Sequence, residues 1–237
     1  MEQQYNISPI GYIRSPYKQK FSIPRQPRLI NEARAVLEFI PPFINRDALR
    51  GIEEFSHLWL MFIFHENTEK GWSHMVRPPR LGGNERKGVF ATRASFRPNG
   101  IGMSAVELID VHASKGKLSL EIGGVDLLDN TPIIDIKPYI PYSDAIVEAS
   151  GGFADTRPET GMTVSFSEQA TQACEQNIAQ YPVLKTFIEK LLKQDPRPAY
   201  KKNKPTEQTY GVDLYEFNVK WTVEANHNHV TEIIKYK

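Results

Sequence analysis

Residues 57–64 have the sequence His-Leu-Trp-Leu-Met-Phe-Ile-Phe, which contains the longest apolar run of the chain, 58–64. The run is far too short to span a membrane, which needs about 20 apolar residues. Its continuous apolar and aromatic character predicts a strand that is buried on both faces. His65 and Glu66 follow directly, so two polar side chains are expected at the mouth of this strand, where a site could be built.

Shorter strand signals surround this run within the first 150 residues. Lys117, Ser119 and Glu121 alternate with apolar residues, which is typical of a half-buried strand after a turn. Only 45–55 suggests a helix in this part of the chain. Many short strands with few helices between them favour an antiparallel barrel or sandwich over parallel βαβ units. The further candidate strands are 7–14, 33–39, 87–93, 105–111 and 132–136.

The character of the sequence changes after about residue 150. The Ser165-x-x-Glu168 pattern is typical of a capping box, and it predicts a helix that continues to about Tyr181. Apolar residues at helical spacing within 183–192 predict a second helix, and the prolines at 196 and 198 must end it. Residues 217–236 predict a terminal hairpin. We therefore expect a mainly β domain, 1–150, followed by a small α+β domain, 151–237.

Composition excludes several classes of protein. The chain has 237 residues with 40% hydrophobic content, enough for a real core. The single cysteine, Cys174, excludes an internal disulfide framework and every multi-cysteine zinc or iron–sulfur site. The first residues lack the basic and apolar regions of a secretion signal. A cytoplasmic protein without membrane contact is expected.

Basic residues are concentrated in two windows, although the net charge is only +1. Window 76–97 holds six basic residues against Glu85, and window 193–204 holds five against Asp195. Such segregation suits a protein that contacts a polyanion with one face, because phosphate neutralisation dominates affinity for nucleic acids. Two solvated loops would give the same pattern.

Common catalytic and nucleotide-binding motifs are either absent or lack the flanking strand and helix that they require. Gly100-Ile-Gly102-Met-Ser-Ala105 matches the dinucleotide fingerprint, but Pro98 stands where the preceding strand should be and a strand pattern follows. No phosphate-binding loop of the Walker type and no Gly-x-Ser-x-Gly elbow occur. His227-x-His229 could hold a metal, although a solvated turn suits it better. No catalytic metal is predicted.

Two stretches are richer in functional residue types than structure alone requires. Residues 90–102 combine two arginines with small residues and a Pro-Asn-Gly turn, which allows close approach to a phosphate or carboxylate. Residues 125–139 place aspartates at strand ends. Asp126 and Asp129 could receive an ammonium group or ribose hydroxyls, or they could cap turns.

These residues resemble the TsaA-like family. The resemblance rests on five motifs in the expected order, at 10–14, 24–27, 55–59, 91–102 and 135–139, and it covers essentially the whole chain. The Asp-Pro-Arg-Pro-Ala-Tyr element at 195–200 is typical of the longer bacterial form, the TrmO-type tRNA methyltransferases. The resemblance implies an N-terminal β-barrel that binds S-adenosylmethionine, a homodimer with the cofactor near the interface, and N6-methylation of threonylcarbamoyladenosine beside the tRNA anticodon.

The resemblance also implies the site residues, motif by motif. At one contact the family often has His-Asp, where this chain has His65-Glu66, so the carboxylate is kept. The implied cofactor contacts are Pro24, Arg25, Gln26, His65, Glu66, Arg93, Met103, Asp126, Leu127, Leu128 and Asp129. The chemistry of the modified base adds Arg97 and Asn99 at the substrate, because its threonyl carboxylate calls for an arginine and Arg97 is the preferred candidate. Arg197 and Tyr200 are expected to contact the anticodon stem-loop, Tyr200 by stacking.

Methyl transfer from a sulfonium needs positioning rather than a metal or a nucleophilic residue. The target N6 is conjugated with a carbonyl, so a base should help it lose its proton. Asp135 with Lys137 and Tyr139 could do this, or the loop of Ser95, Arg97 and Asn99. A non-catalytic RNA-binding module and a methyltransferase for a small molecule remain alternatives, and a Rossmann oxidoreductase would require a strand–turn–helix over 80–120.

Overall fold

A computed structural model describes residues 4–197 and 208–236. The strands are β1 (Gly11–Arg14), β2 (Arg34–Phe39), β3 (His57–Ile63), β4 (Met75–Val76), β5 (Lys87–Gly88), β6 (Ile101–Ser114), β7 (Lys117–Gly123), β8 (Pro132–Pro138), β9 (Thr163–Phe166), β10 (Gln208–Leu214), β11 (Phe217–Glu224) and β12 (His227–Lys235). The helices are α1 (Pro141–Asp144), α2 (Glu168–Gln176) and α3 (Leu184–Lys193). Short 3-10 turns occur at Lys20–Ser22, Arg46–Leu49, Ile52–Glu54, His65–Lys70, Pro79–Leu81, Val89–Ala91 and Gly152–Ala154. None of the helices in these described residues is long and apolar enough to cross a bilayer.

Six antiparallel strands close into a barrel in the order β1-β2-β7-β6-β3-β8. This confirms the mainly β prediction and decides for a barrel over a sandwich. Inward side chains from every strand fill the interior, as a small barrel requires. Leu37, Leu60 and Leu120 are completely buried there.

The central strand β3 differs from its prediction. Leu58, Leu60 and Phe62 point inward and are buried, whereas the alternate residues, among them Trp59 and Met61, remain partly exposed. The continuous apolar run therefore marks a strand that is buried on one face only. The outward side chains are covered in part by neighbours, as where the Trp59 ring packs 5.5 Å from the ring of Tyr139.

Two predicted elements in the first half are wrong. Residues 45–55 form two 3-10 turns instead of a helix, because Gly51 between them adopts φ 84° and interrupts the helical path. Of the strand predicted over 87–93, only Lys87–Gly88 pairs, with β4. The Arg97 guanidinium donates hydrogen bonds to the carbonyls of Val89 and Thr92, so these carbonyls are used without a neighbouring strand.

The second half forms a four-stranded sheet in the order β10-β11-β12-β9, and α2 and α3 pack on it. The terminal hairpin is confirmed as β11 and β12. Helix α2 begins two residues later than predicted, because Ser167 rather than Ser165 is the N-cap and accepts a hydrogen bond from the Ala170 amide. The same helix ends at Gln176, before Tyr181.

The barrel and the second sheet share one hydrophobic core. Tyr17, from the segment after β1, is completely buried, and its ring lies 5.9 Å from the Phe187 ring of α3. The Tyr215 amide donates to the Pro16 carbonyl at 2.9 Å. The Tyr215 hydroxyl also bonds the backbone of Arg34. The segment from β1 to β2 is therefore the main contact of the barrel with the second sheet.

Candidate active site

Three connections of the barrel emerge at the same end. Because the strands are antiparallel, the loops 15–33, 64–100 and 124–131 all join strands at this end, whereas the other connections lie at the opposite one. All cofactor residues implied by the sequence lie in these three loops, except Met103 near the start of β6. The barrel closure thus gathers residues that are far apart in the chain.

Arg93 and Gln26 link two of these loops. The Arg93 guanidinium donates a hydrogen bond of 2.7 Å to the side-chain oxygen of Gln26. Both side chains keep some exposure to solvent, so a ligand can reach them. Pro24 is buried beside them. Desolvation lowers the pKa of Arg25, and the carboxylate of Asp195, which follows α3, opposes this shift.

Asp126 from the third loop meets the barrel wall. The Ser104 hydroxyl, itself almost completely buried, donates a hydrogen bond of 2.7 Å to the Asp126 carboxylate. Burial raises the pKa of Asp126 to about 6, while the Ser104 hydrogen bond and the charge of Arg93 oppose the rise. A ligand that brings hydrogen-bond donors or positive charge would stabilise the charged form of this carboxylate.

The other residues of the run 126–129 hold the loops together. The Leu127 carbonyl accepts a hydrogen bond of 2.7 Å from the Ser15 hydroxyl. The Asp129 carboxylate accepts one of 2.9 Å from the Ser15 amide and pairs with Lys18 at 2.7 Å. Leu128 is half-buried. Asp129 therefore acts as a turn-stabilising carboxylate in this structure, which is the alternative that the sequence left open.

His65 and Glu66 begin the loop 64–100, directly after β3. The Lys20 ammonium lies 3.3 Å from the Glu66 carboxylate and also donates to the Glu66 carbonyl. His65 is half-buried, and its carbonyl accepts a hydrogen bond from the Thr68 hydroxyl. The Glu66 carboxylate is thereby directed towards the loop 15–33, on the same end of the barrel as Gln26.

A second group of predicted residues lies on the outer face of the barrel. Met103 is opposite Met61 in the β3–β6 pair, and Met61 is opposite Asp135 in the β3–β8 pair. Asp135 thus stands two strand spacings from Met103, about 10 Å. The Lys137 ammonium is 3.7 Å from the Asp135 carboxylate, and Tyr139 packs on Trp59. The three candidate catalytic residues share one surface.

The predicted substrate residues have different surroundings. Besides its two carbonyl contacts, the Arg97 guanidinium lies 5.9 Å from the centre of the Phe90 ring. Asn99 is exposed beside Gly100. Arg197 is buried and makes a two-pronged ion pair with Asp195, the carboxylate whose charge also acts on Arg25. Tyr200 lies outside the described residues.

The glycines of the apparent dinucleotide motif have structural explanations. Gly100 adopts φ +60°, which suits glycine. A Cβ on Gly102 would lie 2.4 Å from the Phe62 ring. Strand β6 follows instead of a helix, which contradicts a Rossmann site.

The histidine pair 227/229 lies on β12 and contacts β9. The Ser165 hydroxyl lies 2.8 Å from Nε2 of His227 and 2.8 Å from Nδ1 of His229, and Thr163 bonds the other nitrogen of His227. Within residues 4–197 and 208–236, no three metal-binding side chains of histidine, cysteine, aspartate or glutamate come together.

Sequence reasoning missed Ser104 and Lys20. Ser104 has a usable signal, since it is a polar residue at a position of β6 whose neighbours Ala105 and Val106 are buried. The contact of Lys20 with Glu66 has no signal in the sequence, because it joins two irregular loops.

Comparison with known proteins gives the family. The family model of the tRNA-methyltransferase O N-terminal domain matches residues 12–145, and that of the TrmO C-terminal domain matches residues 159–236. The chain is 50% identical to the tRNA (adenine(37)-N6)-methyltransferase of Escherichia coli over 219 residues, which are 92% of this chain and 93% of that one. It is also 36% identical over 174 residues to the human tRNA (adenine(37)-N6)-methyltransferase, covering 71% of this chain and 38% of that one.

Solved structures agree with the sequence comparisons. The crystal structure of TrmO from Pseudomonas aeruginosa superposes with a TM-score of 0.81 at 40% identity, covering 98% of this chain and 99% of that chain. A putative S-adenosylmethionine-dependent methyltransferase of the same organism is 50% identical over 218 residues, which are 92% of each chain. Barrel, second sheet and sequence thus all match along nearly the full length, and the chain belongs to the TrmO family of tRNA methyltransferases.

Proposed function

We propose that this protein transfers a methyl group from S-adenosylmethionine to N6 of threonylcarbamoyladenosine at position 37 of tRNA. The observation that carries the proposal is the hydrogen-bonded carboxylate of Asp126, set at the barrel end where Arg93 and Gln26 meet. Relatives named as methyltransferases of adenine 37 match nearly the whole chain. A barrel end of this kind offers a site without a nucleotide-binding Rossmann sheet.

The residues at the barrel end suit S-adenosylmethionine chemically. When bound, this cofactor supplies an electrophilic methyl group on a positively charged sulfur. Asp126, whose pKa is raised by burial, favours a ligand with donors or positive charge. Arg93 and Arg25 suit a carboxylate, and Gln26 offers both a donor and an acceptor. We assign the remaining implied contacts, from Pro24, His65, Glu66 and 127–129, to the walls of the same site, and that of Met103 to the adjoining outer face of the barrel.

Asp135 is the base that the arrangement favours. It is the only carboxylate among the two candidate sets, and it is half-buried on the outer face that also carries Met103. The Lys137 ammonium lies 3.7 Å from its carboxylate, and Tyr139 on Trp59 offers a flat surface beside it. In the other candidate set, Arg97 already binds two backbone carbonyls. We propose that Asp135 accepts the proton of N6 and that Arg97 and Asn99 border the threonyl group.

We propose a homodimer whose interface is formed by the segment after β8 and borders the outer barrel face. Large apolar side chains are exposed in both places. Met103 on the outer barrel face is 53% exposed, and Tyr142 and Val147 in the segment after β8 are 91% and 90% exposed. A monomer rarely leaves such a group of side chains in water. Val147→Asp should therefore dissociate the dimer in analytical ultracentrifugation, and a monomeric wild-type protein would contradict the proposal.

The division of labour between the two parts of the chain is also a proposal. We place the boundary near residue 150, with the cofactor on 1–150 and tRNA contacts on both parts. Because Arg197 is buried in its ion pair, phosphate contacts are assigned to exposed cations such as Arg77 and Arg86. A tRNA substrate and the absence of any cysteine besides Cys174 agree with a cytoplasmic location.

The test combines two measurements on the purified protein. Calorimetric titration with S-adenosylmethionine should show saturable binding that is lost in Asp126→Asn. Transfer of a labelled methyl group should then occur to tRNA that carries threonylcarbamoyladenosine and not to tRNA that lacks it. Binding of tRNA without cofactor binding would indicate an RNA-binding module instead. Cofactor binding without transfer to either tRNA would indicate a methyltransferase for another substrate.

Asp135→Asn separates ligand binding from methyl transfer. The amide keeps the shape of the carboxylate but cannot accept the proton, so cofactor and tRNA affinity should stay within about twofold while the transfer rate falls about 100-fold or more. Lys137→Met is the matched control on the same surface, with a smaller loss expected. A full transfer rate in Asp135→Asn would refute the assignment of this residue.

A further inference from the structure

The loop 64–100 is a folded unit rather than a loose connection. The Ser73 amide donates to the Phe96 carbonyl at 3.2 Å, and the Val89 amide donates to the His74 carbonyl at 2.9 Å. Strands β4 and β5 pair beside these bonds. Three segments, around residues 73, 89 and 96, are therefore held next to one another.

Aromatic side chains project from all three segments. Trp72 is 47% exposed, Phe90 75% and Phe96 37%. The Trp72 ring lies 4.3 Å from the ring of His74, so two flat surfaces are already adjacent. The cofactor chemistry proposed above uses none of these rings, and their exposure requires another explanation.

Cations accompany the rings. Arg97 lies over the Phe90 ring, and Arg77 is exposed one residue beyond β4. The window 76–97 has six basic residues and a single acidic one. Flat rings between cations are the arrangement that binds unpaired nucleotides, because bases stack on the rings while the cations contact phosphates. A second copy of the chain would bring the same positive charge to this surface and be repelled.

We propose that the aromatic–arginine surface, made of Trp72, His74, Phe90, Phe96, Arg77 and Arg97, stacks unpaired bases of an RNA loop. The inference rests on the proposed tRNA methyltransferase function and adds the residues that hold the loop next to the adenosine. The surface is joined to the cofactor end of the barrel, since Asn67 donates a hydrogen bond to Ser95 and Arg93 to Gln26. Bases stacked on Trp72 and Phe90 would keep a neighbouring nucleotide at the end of the barrel where the loops 64–100 and 124–131 emerge.

The test compares an RNA hairpin of an anticodon arm with a blunt RNA duplex that has the same number of phosphates. Stacking requires unpaired bases, whereas phosphate contacts do not. Trp72→Ala should weaken hairpin binding about 5- to 100-fold and leave duplex binding within about twofold. Arg77→Ala should weaken both RNAs and reduce the slope of log affinity against log salt by about 1, a slope that Trp72→Ala leaves unchanged.

Controls make the result decisive. Tyr5→Ala removes another exposed ring, at 77% exposure, far from this surface in sequence, and should bind both RNAs like the wild type. Phe90→Ala, which removes the most exposed ring of the surface, should repeat the hairpin-specific loss and covers the case in which Trp72→Ala does not fold. An equal loss for hairpin and duplex, or no loss for the hairpin, would overturn the proposal.

Tryptophan fluorescence gives a readout that a structural role would not move. Stacking on a base should quench the emission when the wild type binds the hairpin, and Trp72→Phe should lose this quenching while its affinity stays within about threefold. A changed oligomeric state of Trp72→Ala in ultracentrifugation would assign the surface to a protein contact and refute stacking. If the wild type binds no S-adenosylmethionine, the proposed enzyme fails while the hairpin–duplex comparison still decides the stacking.

Discussion

The hydroxyl of Ser104 donates a 2.7 Å hydrogen bond to the carboxylate of Asp126, which joins the inner wall of the barrel to the loop after β7. The bond leaves Asp126 in surroundings that still oppose its charge, because burial raises its pKa to about 6. The protein therefore keeps a costly carboxylate at the end of the barrel, as is common at functional sites.

Asp126→Asn should make the protein more stable and less able to bind cofactor. The folded protein holds a proton on Asp126 between about pH 4 and 6 that the unfolded chain has released, so the stability contributed by this group falls as the pH rises through that window. Removing the charge should raise the free energy of unfolding by about 1–3 kcal/mol at pH 8 and have little effect below pH 4. Urea denaturation at both pH values measures this, and a less stable variant at pH 8 would contradict it.

Binding of S-adenosylmethionine should depend on the same ionisation. With the charged form of Asp126 required, the association constant should be constant above about pH 7 and fall about tenfold by pH 5. Calorimetry across this range gives the profile. Asp135→Asn, which alters a carboxylate on the outer face, should keep the profile of the wild type, and a flat profile in the wild type would exclude Asp126 as the titrating contact.

Two tyrosines at the contact between barrel and second sheet should respond in opposite ways to loss of their hydroxyl. Within the described residues the buried Tyr17 hydroxyl has no hydrogen-bond partner, whereas that of Tyr215 bonds the amide and carbonyl of Arg34. Tyr17→Phe should raise the free energy of unfolding by about 1 kcal/mol, and Tyr215→Phe should lower it by about 1 kcal/mol. Denaturant titration of the two variants tests this, and equal signs would show that the hydroxyl environments are misassigned.

Gly102→Ala should destabilise the barrel. The added methyl group would lie 2.4 Å from the Phe62 ring, and the ring is fixed by an edge-on contact with Phe64 at 5.1 Å. We expect a loss of about 1–3 kcal/mol in the free energy of unfolding. Gly88→Ala is the matched control, because nothing lies within 4 Å of its Cβ position and the change should stay within about 0.5 kcal/mol. If Gly102→Ala unfolds like the wild type, the Phe62 ring can move to accommodate the methyl group and the prediction is wrong.

Local patterns in the sequence determined much of the architecture. Alternation and turn residues locate most of the barrel strands and the terminal hairpin. The spacing of apolar residues predicts the buried face of α3. These features depend on neighbours within a few residues, so the sequence alone indicates them. The same local signals misplace 45–55 and 87–93, where Gly51 and the carbonyl contacts of Arg97 decide the backbone. They also overstate the burial of β3, since a run of apolar residues does not say what covers its outer face.

The site itself was decided by tertiary structure. The resemblance supplied Gln26, Arg93 and Asp126 one by one, but only the closure of an antiparallel barrel brings their three loops to one end. The same closure brings Ser104 to Asp126 and Lys20 to Glu66, and the tertiary structure also buries Arg197 in its ion pair with Asp195. Sequence determines which elements form, since that is local; contacts between distant loops depend on how the strands pair, and the chemistry of this protein is built from those contacts.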